Sequence, residues 1–173
     1  DVYKRQIYGG EDYDARREQK GWNQIGFDDS HWRPVVIQEA PKGILRPQMA
    51  APVKIMERYD IQKVTKLNAD QVASASVSTK RTVDPSAFVL DMGQNLAGFP
   101  EITVRGKRGQ KVTLIVAEAL TDEGACNQRQ TGRQHYYEYT LKGEGDEIWH
   151  PRFSYYGFRY IQVEGAVLKG QKN

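Results

Sequence analysis

Cysteine is almost absent from this chain, since Cys126 is the only one among its 173 residues. A single cysteine cannot form an intramolecular disulfide or supply a cysteine-rich zinc site. Long apolar runs are also missing, and no stretch approaches the roughly 20 residues that a membrane-spanning helix needs. The sequence therefore excludes a disulfide scaffold and predicts no membrane partner.

A strong excess of one charge is missing as well. The 25 Lys and Arg are interleaved with 22 Asp and Glu, which leaves a net charge of +3. Proteins that bind nucleic acid usually concentrate positive charge on one face or stretch. The densest basic stretch, residues 105–111, contains Gly106 and Gly109 and is interpreted as a solvated hairpin turn rather than a phosphate-binding patch. We therefore expect no nucleic-acid partner.

Strand signals dominate the second half of the chain. Hydrophobic residues make up 39% of the sequence, which is enough for a core. Short segments with alternating apolar side chains follow one another, separated by glycine turns, at residues 87–91, 99–105, 110–119, 133–141, 147–153 and 158–164. A parallel sheet would need crossover connections of a dozen or more residues, for which there is no room. The pattern predicts an all-β fold, an antiparallel β-sandwich, with Arg159 of the last strand reaching a carboxylate or an edge.

The first third of the chain is irregular. Glycine and aspartate turns dominate residues 7–33, and prolines interrupt residues 40–52. We interpret this region as an N-terminal arm whose aromatic residues dock on a neighbouring surface. Short strands are predicted at 35–37 and 53–65, and the oxygens of Asp28 and Asp29 are expected to cap backbone N–H groups rather than to bind a metal.

Several segments in one order carry a family resemblance. They are residues 26–35 (GFDDSHWRPV), 91–99 (DMGQNLAGF), 137–145 (YEYTLKGEG), 149–153 (WHPRF) and 157–163 (GFRYIQV). These segments together resemble the concanavalin-like, jelly-roll β-sandwich domain of bacterial α-L-rhamnosidases of glycoside hydrolase family 78, with the linker that precedes it. The resemblance extends from about residue 7 to residue 165.

The resemblance implies an organisation and a role. Residues 1–6 are expected to be a non-native scar, 7–51 the arm or linker from a preceding N-terminal module, 52–165 the sandwich, and 166–173 the start of a linker to a missing catalytic domain. In that family catalysis belongs to an (α/α)6 barrel that follows the sandwich and uses two carboxylic acids. No catalytic residue is carried onto this chain, so we expect it to be inactive alone and to be an accessory domain that packs against the barrel and the N-terminal module.

Sugar binding is the alternative function. Aromatic rings stack on the C–H faces of sugars, which makes Trp22, Trp32, Tyr155 and Tyr156 candidates for rhamnose-containing glycans, with Asn95 as a polar partner. The competing interpretation is that aromatic side chains fill cores and interfaces. Because Gly93 and Gly98 flank Asn95, its side chain is expected to bond the neighbouring backbone of a loop.

Catalytic and metal chemistry are poorly supported. The acidic pairs Glu11–Asp12, Asp28–Asp29 and Glu118–Asp122 are the candidates for an autonomous hydrolase, but adjacent side chains on a strand point to opposite faces. His31, His135 and His150 are too scattered to predict one metal site. We therefore predict neither a metal nor a cofactor.

Overall fold

The computed structural model describes residues 2–5, 9–74, 87–129, 131 and 135–170. The chain divides into two compact units, and each is described by itself. The sandwich unit consists of Asp1–Glu18 and Tyr59–Asn173, and the extended unit is Gln19–Arg58. This division does not coincide with the predicted boundary at residue 52, and Tyr3–Arg5 forms a strand of the sandwich unit.

The sandwich unit is built from short strands. In the described residues these are β1 (Tyr3–Arg5), β2 (Gly10–Asp14), β3 (Lys63–Leu67), β4 (Ala87–Gly98), β5 (Ile102–Val104), β6 (Lys111–Ala117), β7 (Ala119–Leu120), β8 (Cys126–Asn127), β9 (Tyr136–Thr140), β10 (Glu147–Trp149) and β11 (Tyr156–Glu164). A 3-10 helix (Ala15–Arg17) follows β2, and helix α1 (Ala69–Ser74) follows β3. No helix within the described ranges is long and apolar enough to cross a membrane.

One large sheet organises this unit. Its strand order is β1-β2-β9-β6-β11-β4-β3, and all neighbours are antiparallel except β2 and β9, which run parallel. Two smaller sheets, β10-β5 and β7-β8, accompany it. The central strand β6 is buried from Val112 to Ala117, because the sheet is covered on both faces. The prediction of a mostly antiparallel all-β sandwich is confirmed.

The period of two directs alternate side chains of the central strands to opposite faces of the large sheet, where three buried clusters form. The smallest consists of Ile115, Ala117 and Cys126. On one face Leu114, Phe158 and Ile161 pack in a cluster that includes Trp149 of β10. On the other face Leu67 of β3 and Val72 of α1 pack with Val89. Complete burial of such side chains contributes about 1.5–3 kcal/mol each, so these clusters dominate the stability of the unit.

Two glycines permit close approaches that a side chain would prevent. Gly165 ends β11 with φ +78°, and a Cβ there would collide with the Lys111 carbonyl oxygen. Gly143 has φ +82°, and its Cβ would lie 2.6 Å from the Arg108 nitrogen. Both glycines approach residues 108–111 at the start of β6, which explains why glycine occurs there. Residues 105–111 form a turn between two sheets and not the predicted hairpin, because β5 pairs with β10 and β6 pairs with β9 and β11.

Three local predictions were wrong. Residues 35–37 form no strand. Of residues 53–65 only the last three belong to a strand, β3 (Lys63–Leu67), which is the segment that pairs with the edge of β4 not occupied by β11. Residues 68–85, which are rich in Ala, Ser and Thr, predict an edge strand with a loop or a long excursion, and helix α1 lies there instead. Asn68 and Gln71 exchange side-chain and backbone hydrogen bonds at its start. Residues 75–86 and 133–134 of the predicted segments lie outside the described residues.

Cys126 lies in β8, although the nearby Gly124 predicts a loop at this position. It is fully buried, and its N–H donates to the Gln162 Oε1 at 3.0 Å. Burial raises the pKa of the thiol to about 12. Since the thiolate is the reactive species, we expect a soluble disulfide reagent at pH 8 to leave Cys126 unmodified in the folded chain and to react within minutes in urea. Free glutathione is the control, and equal rates with and without urea would contradict this prediction.

Candidate functional site

The five residues predicted to bind carbohydrate are divided between the two units. Trp22 and Trp32 belong to the extended unit, whereas Asn95, Tyr155 and Tyr156 belong to the sandwich unit. The structure therefore describes two separate groups of candidates, and each is considered by itself.

In the extended unit the two tryptophans differ. Trp32 donates its Nε1–H to the Gln19 Oε1 at 2.5 Å, and its ring lies 5.6 Å from that of Phe27. Trp22 is 60% exposed. The Asp28 carboxylate accepts the Ser30 N–H at 3.0 Å, and this interaction with Ser30 lowers the pKa of Asp28. The predicted capping role of Asp28 is thus confirmed, and Trp22 is the ring that stays most accessible.

Asn95 lies on β4 and not in a loop. Its Nδ2 donates to the Glu118 Oε1 at 2.7 Å, so the expectation that it bonds its own backbone is wrong. Gly93 has φ +82°, but Gly98 does not have a positive φ. Glu118 lies close to Gly157, where a Cβ would be 3.3 Å from its Oε1. The absence of a side chain at Gly157 leaves room for the Asn95–Glu118 pair, which is exposed.

Asp91 has the local role that was expected of Asn95. Its Oδ1 accepts the Gly93 N–H at 2.7 Å. Both of its oxygens also accept from Arg159, at 2.8 and 3.0 Å, which confirms that Arg159 reaches a carboxylate. This two-pronged bond to Arg159 lowers the pKa of Asp91. The pair joins β4 to β11 at the irregularity in their register between Phe158 and Tyr160.

We expect Asp91→Asn to lower the free energy of unfolding by about 1 kcal/mol at pH 7. The Asp91 carboxylate accepts two hydrogen bonds from Arg159, but both side chains are partly exposed to solvent, which limits the contribution of the ion pair. The pKa of Asp91 is lowered in the folded chain, so this stabilisation is present above its unfolded value near 3.8 and is lost as the pH falls further. Urea unfolding at pH 7 and pH 3 measures both. Asp146→Asn, which breaks a more exposed pair with Arg105, is the control and should change little; an equal loss in both variants would contradict the prediction.

Tyr156 and Tyr155 occupy different environments. Tyr156 is half-buried, and its ring stacks on His135 with centroids 4.2 Å apart and an interplanar angle of 14°. Burial, followed by the charge of Glu11, raises the pKa of Tyr156, and burial lowers the pKa of His135. Tyr155 is 54% exposed. Tyr156 is therefore mainly a packing residue, and Tyr155 is the accessible ring of the two.

A buried carboxylate fixes the segment before Tyr155. Glu11 of β2 is completely buried, and its oxygens accept the N–H of Arg152 at 3.0 Å and of Phe153 at 3.1 Å. The Ser154 hydroxyl adds a third bond at 3.2 Å. Nothing in the sequence around Glu11 indicates a partner more than 140 positions away, so the pattern predicts only an acidic pair there.

Glu147 of β10 is a second buried carboxylate with a structural role. It accepts the N–H groups of Lys142 at 3.0 Å and Gly143 at 2.8 Å, and the Tyr139 hydroxyl at 2.8 Å. Burial by itself would raise the pKa of Glu147, but these hydrogen bonds outweigh it and lower the pKa. The carboxylate thereby ties the turn after β9 to the small β5-β10 sheet.

The described carboxylates are thus arranged for structure. Glu11 and Glu147 use their oxygens to accept backbone and hydroxyl hydrogen bonds, and Glu118 accepts from Asn95. Within the ranges that the structure describes, no three His, Cys, Asp or Glu side chains are grouped so that they could hold a metal ion. The exposed groups among the candidates of the sandwich unit are the Asn95–Glu118 pair and the Tyr155 ring, and both are suited to contacts with another molecule.

Two family models match the chain. The model described as the bacterial alpha-L-rhamnosidase concanavalin-like domain matches residues 81–173, and the alpha-L-rhamnosidase N-terminal domain model matches residues 1–57. The first covers more than half of the chain.

Similar proteins are much longer than this chain. An alpha-L-rhamnosidase of Streptomyces avermitilis is 36% identical over 169 residues, which are 95% of this chain and 15% of the relative. The crystal structure of an Aspergillus terreus rhamnosidase is similar with a TM-score of 0.77 at 34% identity, over 95% of this chain and 17% of that one. The structure of the Dictyoglumus thermophilum alpha-L-rhamnosidase is similar with a TM-score of 0.79 at 31% identity, and the match covers 99% of this chain and 18% of that one. The chain therefore spans less than a fifth of these relatives.

Proposed function

This chain belongs to the bacterial α-L-rhamnosidase family, and we propose that it is the β-sandwich accessory domain of such an enzyme, in which other domains of the same polypeptide carry out catalysis. One observation carries the proposal: the concanavalin-like domain model matches residues 81–173, while relatives named as rhamnosidases are more than five times longer. The intact enzyme would hydrolyse terminal α-L-rhamnosides.

The roles of the acidic side chains support an accessory rather than a catalytic part. An inverting glycosidase needs one carboxylic acid to protonate the leaving oxygen and one carboxylate to activate water, about 6.5–9.5 Å apart. The buried carboxylates Glu11 and Glu147 instead accept several structural hydrogen bonds each. Carboxylates whose oxygens are engaged in this way hold the fold together and are not arranged as an acid and base facing a substrate.

We also propose that the sandwich unit contacts other domains of the same polypeptide. In the intact enzyme the sandwich unit would pack against an (α/α)6 catalytic barrel and support it. Exposed apolar side chains of the sandwich unit, which include Ile148, Phe153 and Val167, are suited to such a contact, because an interface core is rich in aromatic and aliphatic groups.

An activity assay tests this function. The purified 173-residue chain should not release p-nitrophenol from p-nitrophenyl α-L-rhamnoside, whereas the full-length polypeptide should. Deletion of the sandwich from that polypeptide should lower its thermal unfolding temperature. Turnover by the isolated chain would overturn the accessory role, and a deletion variant with unchanged stability and activity would overturn the supporting role.

Carbohydrate binding is the second candidate. Two observations favour it. The exposed Tyr155 follows directly after the segment whose backbone Glu11 holds, and the Asn95–Glu118 pair is exposed. Trp22 and Trp32 of the extended unit remain proposed ligand residues, as does Tyr156. Titration of the chain with L-rhamnose, with and without calcium, tests it: chemical shifts of amides beside Tyr155 and Asn95 should change, and unchanged spectra with no heat of binding would reject it.

A further inference from the structure

An apolar segment of the extended unit is exposed along its length. We define it as residues 35–56. Ile37 is 92% exposed, Leu45 101% and Met56 84%. The same is true of the other large apolar side chains of the segment, which are Val35, Val36, Ile44, Met49, Val53 and Ile55.

So many exposed apolar residues in one short segment require an explanation. Single exposed hydrophobic side chains are common, but nine large apolar side chains exposed within 22 residues are typical of a segment that contacts another surface. The segment has no helix or strand, and Pro41, Pro47 and Pro52 prevent it from forming a regular helix of its own. It therefore cannot bury these side chains within itself.

The family match indicates which domain would cover it. The N-terminal domain model matches residues 1–57, and the concanavalin-like match begins only at residue 81. None of residues 19–57 is buried. A domain needs a core, so this part of the N-terminal domain requires other residues of that domain to complete one.

The residue types indicate how it would be covered. Residues 35–37 are all β-branched, and Val53 and Ile55 alternate with Lys54, which is the pattern of a strand with one apolar face. We propose that the apolar segment packs on a β-sheet of the N-terminal domain of the same polypeptide and that residues 53–56 join that sheet as an edge strand. This inference rests on the proposed function, because it takes the chain to be part of a longer enzyme.

Hydrogen–deuterium exchange of the full-length polypeptide tests the proposal. The amides of residues 35–37 and 53–56 should exchange at close to the unstructured rate in the 173-residue chain, and at least about 100-fold more slowly in the full-length polypeptide. The amides of β6 and β11 are the internal control and should be protected in both. Equally fast exchange of the segment in both proteins would overturn the proposal.

A matched pair of substitutions identifies the apolar face as the cause. Ile37→Asp should remove the protection of residues 35–37 in the full-length polypeptide and leave the β6 amides unchanged. Gln38→Asp introduces the same charge at the next position and should have little effect. Equal effects of the two substitutions, or none from Ile37→Asp, would count against the proposal.

Two further outcomes separate the alternatives. If the 173-residue chain sediments as a dimer and its segment is already protected, a second copy is the occupant and the proposal fails.

Rhamnosidase activity is assayed on the same full-length preparation. A protected segment in a polypeptide without that activity would overturn the proposed function alone, whereas an active enzyme with an unprotected segment would overturn this inference alone.

Discussion

Glu147→Gln should lower the free energy of unfolding by about 3 kcal/mol at pH 7, since a buried acceptor of three hydrogen bonds loses its charge and one of its accepting oxygens. The amide nitrogen of the new side chain must face either the Gly143 N–H, or both the Tyr139 hydroxyl and the Lys142 N–H, which share the other oxygen. At least one of those buried donors is then left unsatisfied. For a domain of this size the loss corresponds to about 6–12 °C in the thermal midpoint.

The pH dependence gives an independent check on Glu147. Its pKa in the folded chain is lowered from the ordinary value of 4.5, so the unfolded state binds the proton more readily. The stabilisation is fully present above the unfolded pKa and is lost as the pH falls through the lowered folded value. The stability difference between the wild type and Glu147→Gln should therefore be constant from pH 6 to 8 and shrink below about pH 4.5.

Urea unfolding followed by tryptophan fluorescence measures the effect. Glu144→Gln is the matched control, because Glu144 is exposed in the same turn and makes the same change in charge. Its free energy of unfolding should change by less than about 0.5 kcal/mol. A loss of under about 1 kcal/mol for Glu147→Gln, or a difference that persists at pH 3, would show that the buried carboxylate contributes little.

Glu11→Gln should cost a similar amount, about 2–4 kcal/mol, and should also loosen the segment before Tyr155. The Glu11 carboxylate accepts from the N–H groups of Arg152 and Phe153 and from the Ser154 hydroxyl, so the glutamine again presents an NH2 group to a donor. Glu11 is completely buried, and no water can replace the lost acceptor without rearrangement.

Two measurements distinguish a local from a general effect of this substitution. Thermal unfolding gives the loss of stability, and hydrogen exchange gives the protection of the Arg152 and Phe153 amides relative to amides of β6. The protection should fall more at residues 152 and 153 than in β6. The exposed Glu39→Gln serves as the control for the charge change. Unchanged protection at residues 152 and 153 would contradict the anchoring role.

Long-range partners explain which parts of the site could be predicted. That Arg159 would reach a carboxylate followed from its place on a strand that is apolar on both faces, but its partner Asp91 lies 68 positions away. Asn95 was expected to bond its neighbours, and it bonds Glu118 instead, because β4 continues as a strand through this position. A hydrogen bond between distant residues depends on which strands are adjacent, and no local pattern contains that information.

Residues 53–65 show what side-chain alternation alone cannot predict. The alternation of residues 53–65 predicts a strand with one apolar face, yet residues 53–66 are exposed and only Lys63–Leu67 forms a strand. Alternation reports that a segment can present one face to a core. Whether a backbone partner exists is a separate condition, which for residues 53–56 we propose is met by another domain.

The amino-acid sequence by itself determined the strand class, the antiparallel sandwich and the family, because side-chain alternation, glycine turns and motif order are local properties of the chain. Only the tertiary structure decided the strand order, including the parallel pairing of β2 with β9, and the burial of Glu11 and Glu147 beneath distant backbone donors. Burial depends on what the rest of the chain places over a residue. The same glutamate is a solvated charge on one surface and the centre of a hydrogen-bond network beneath another.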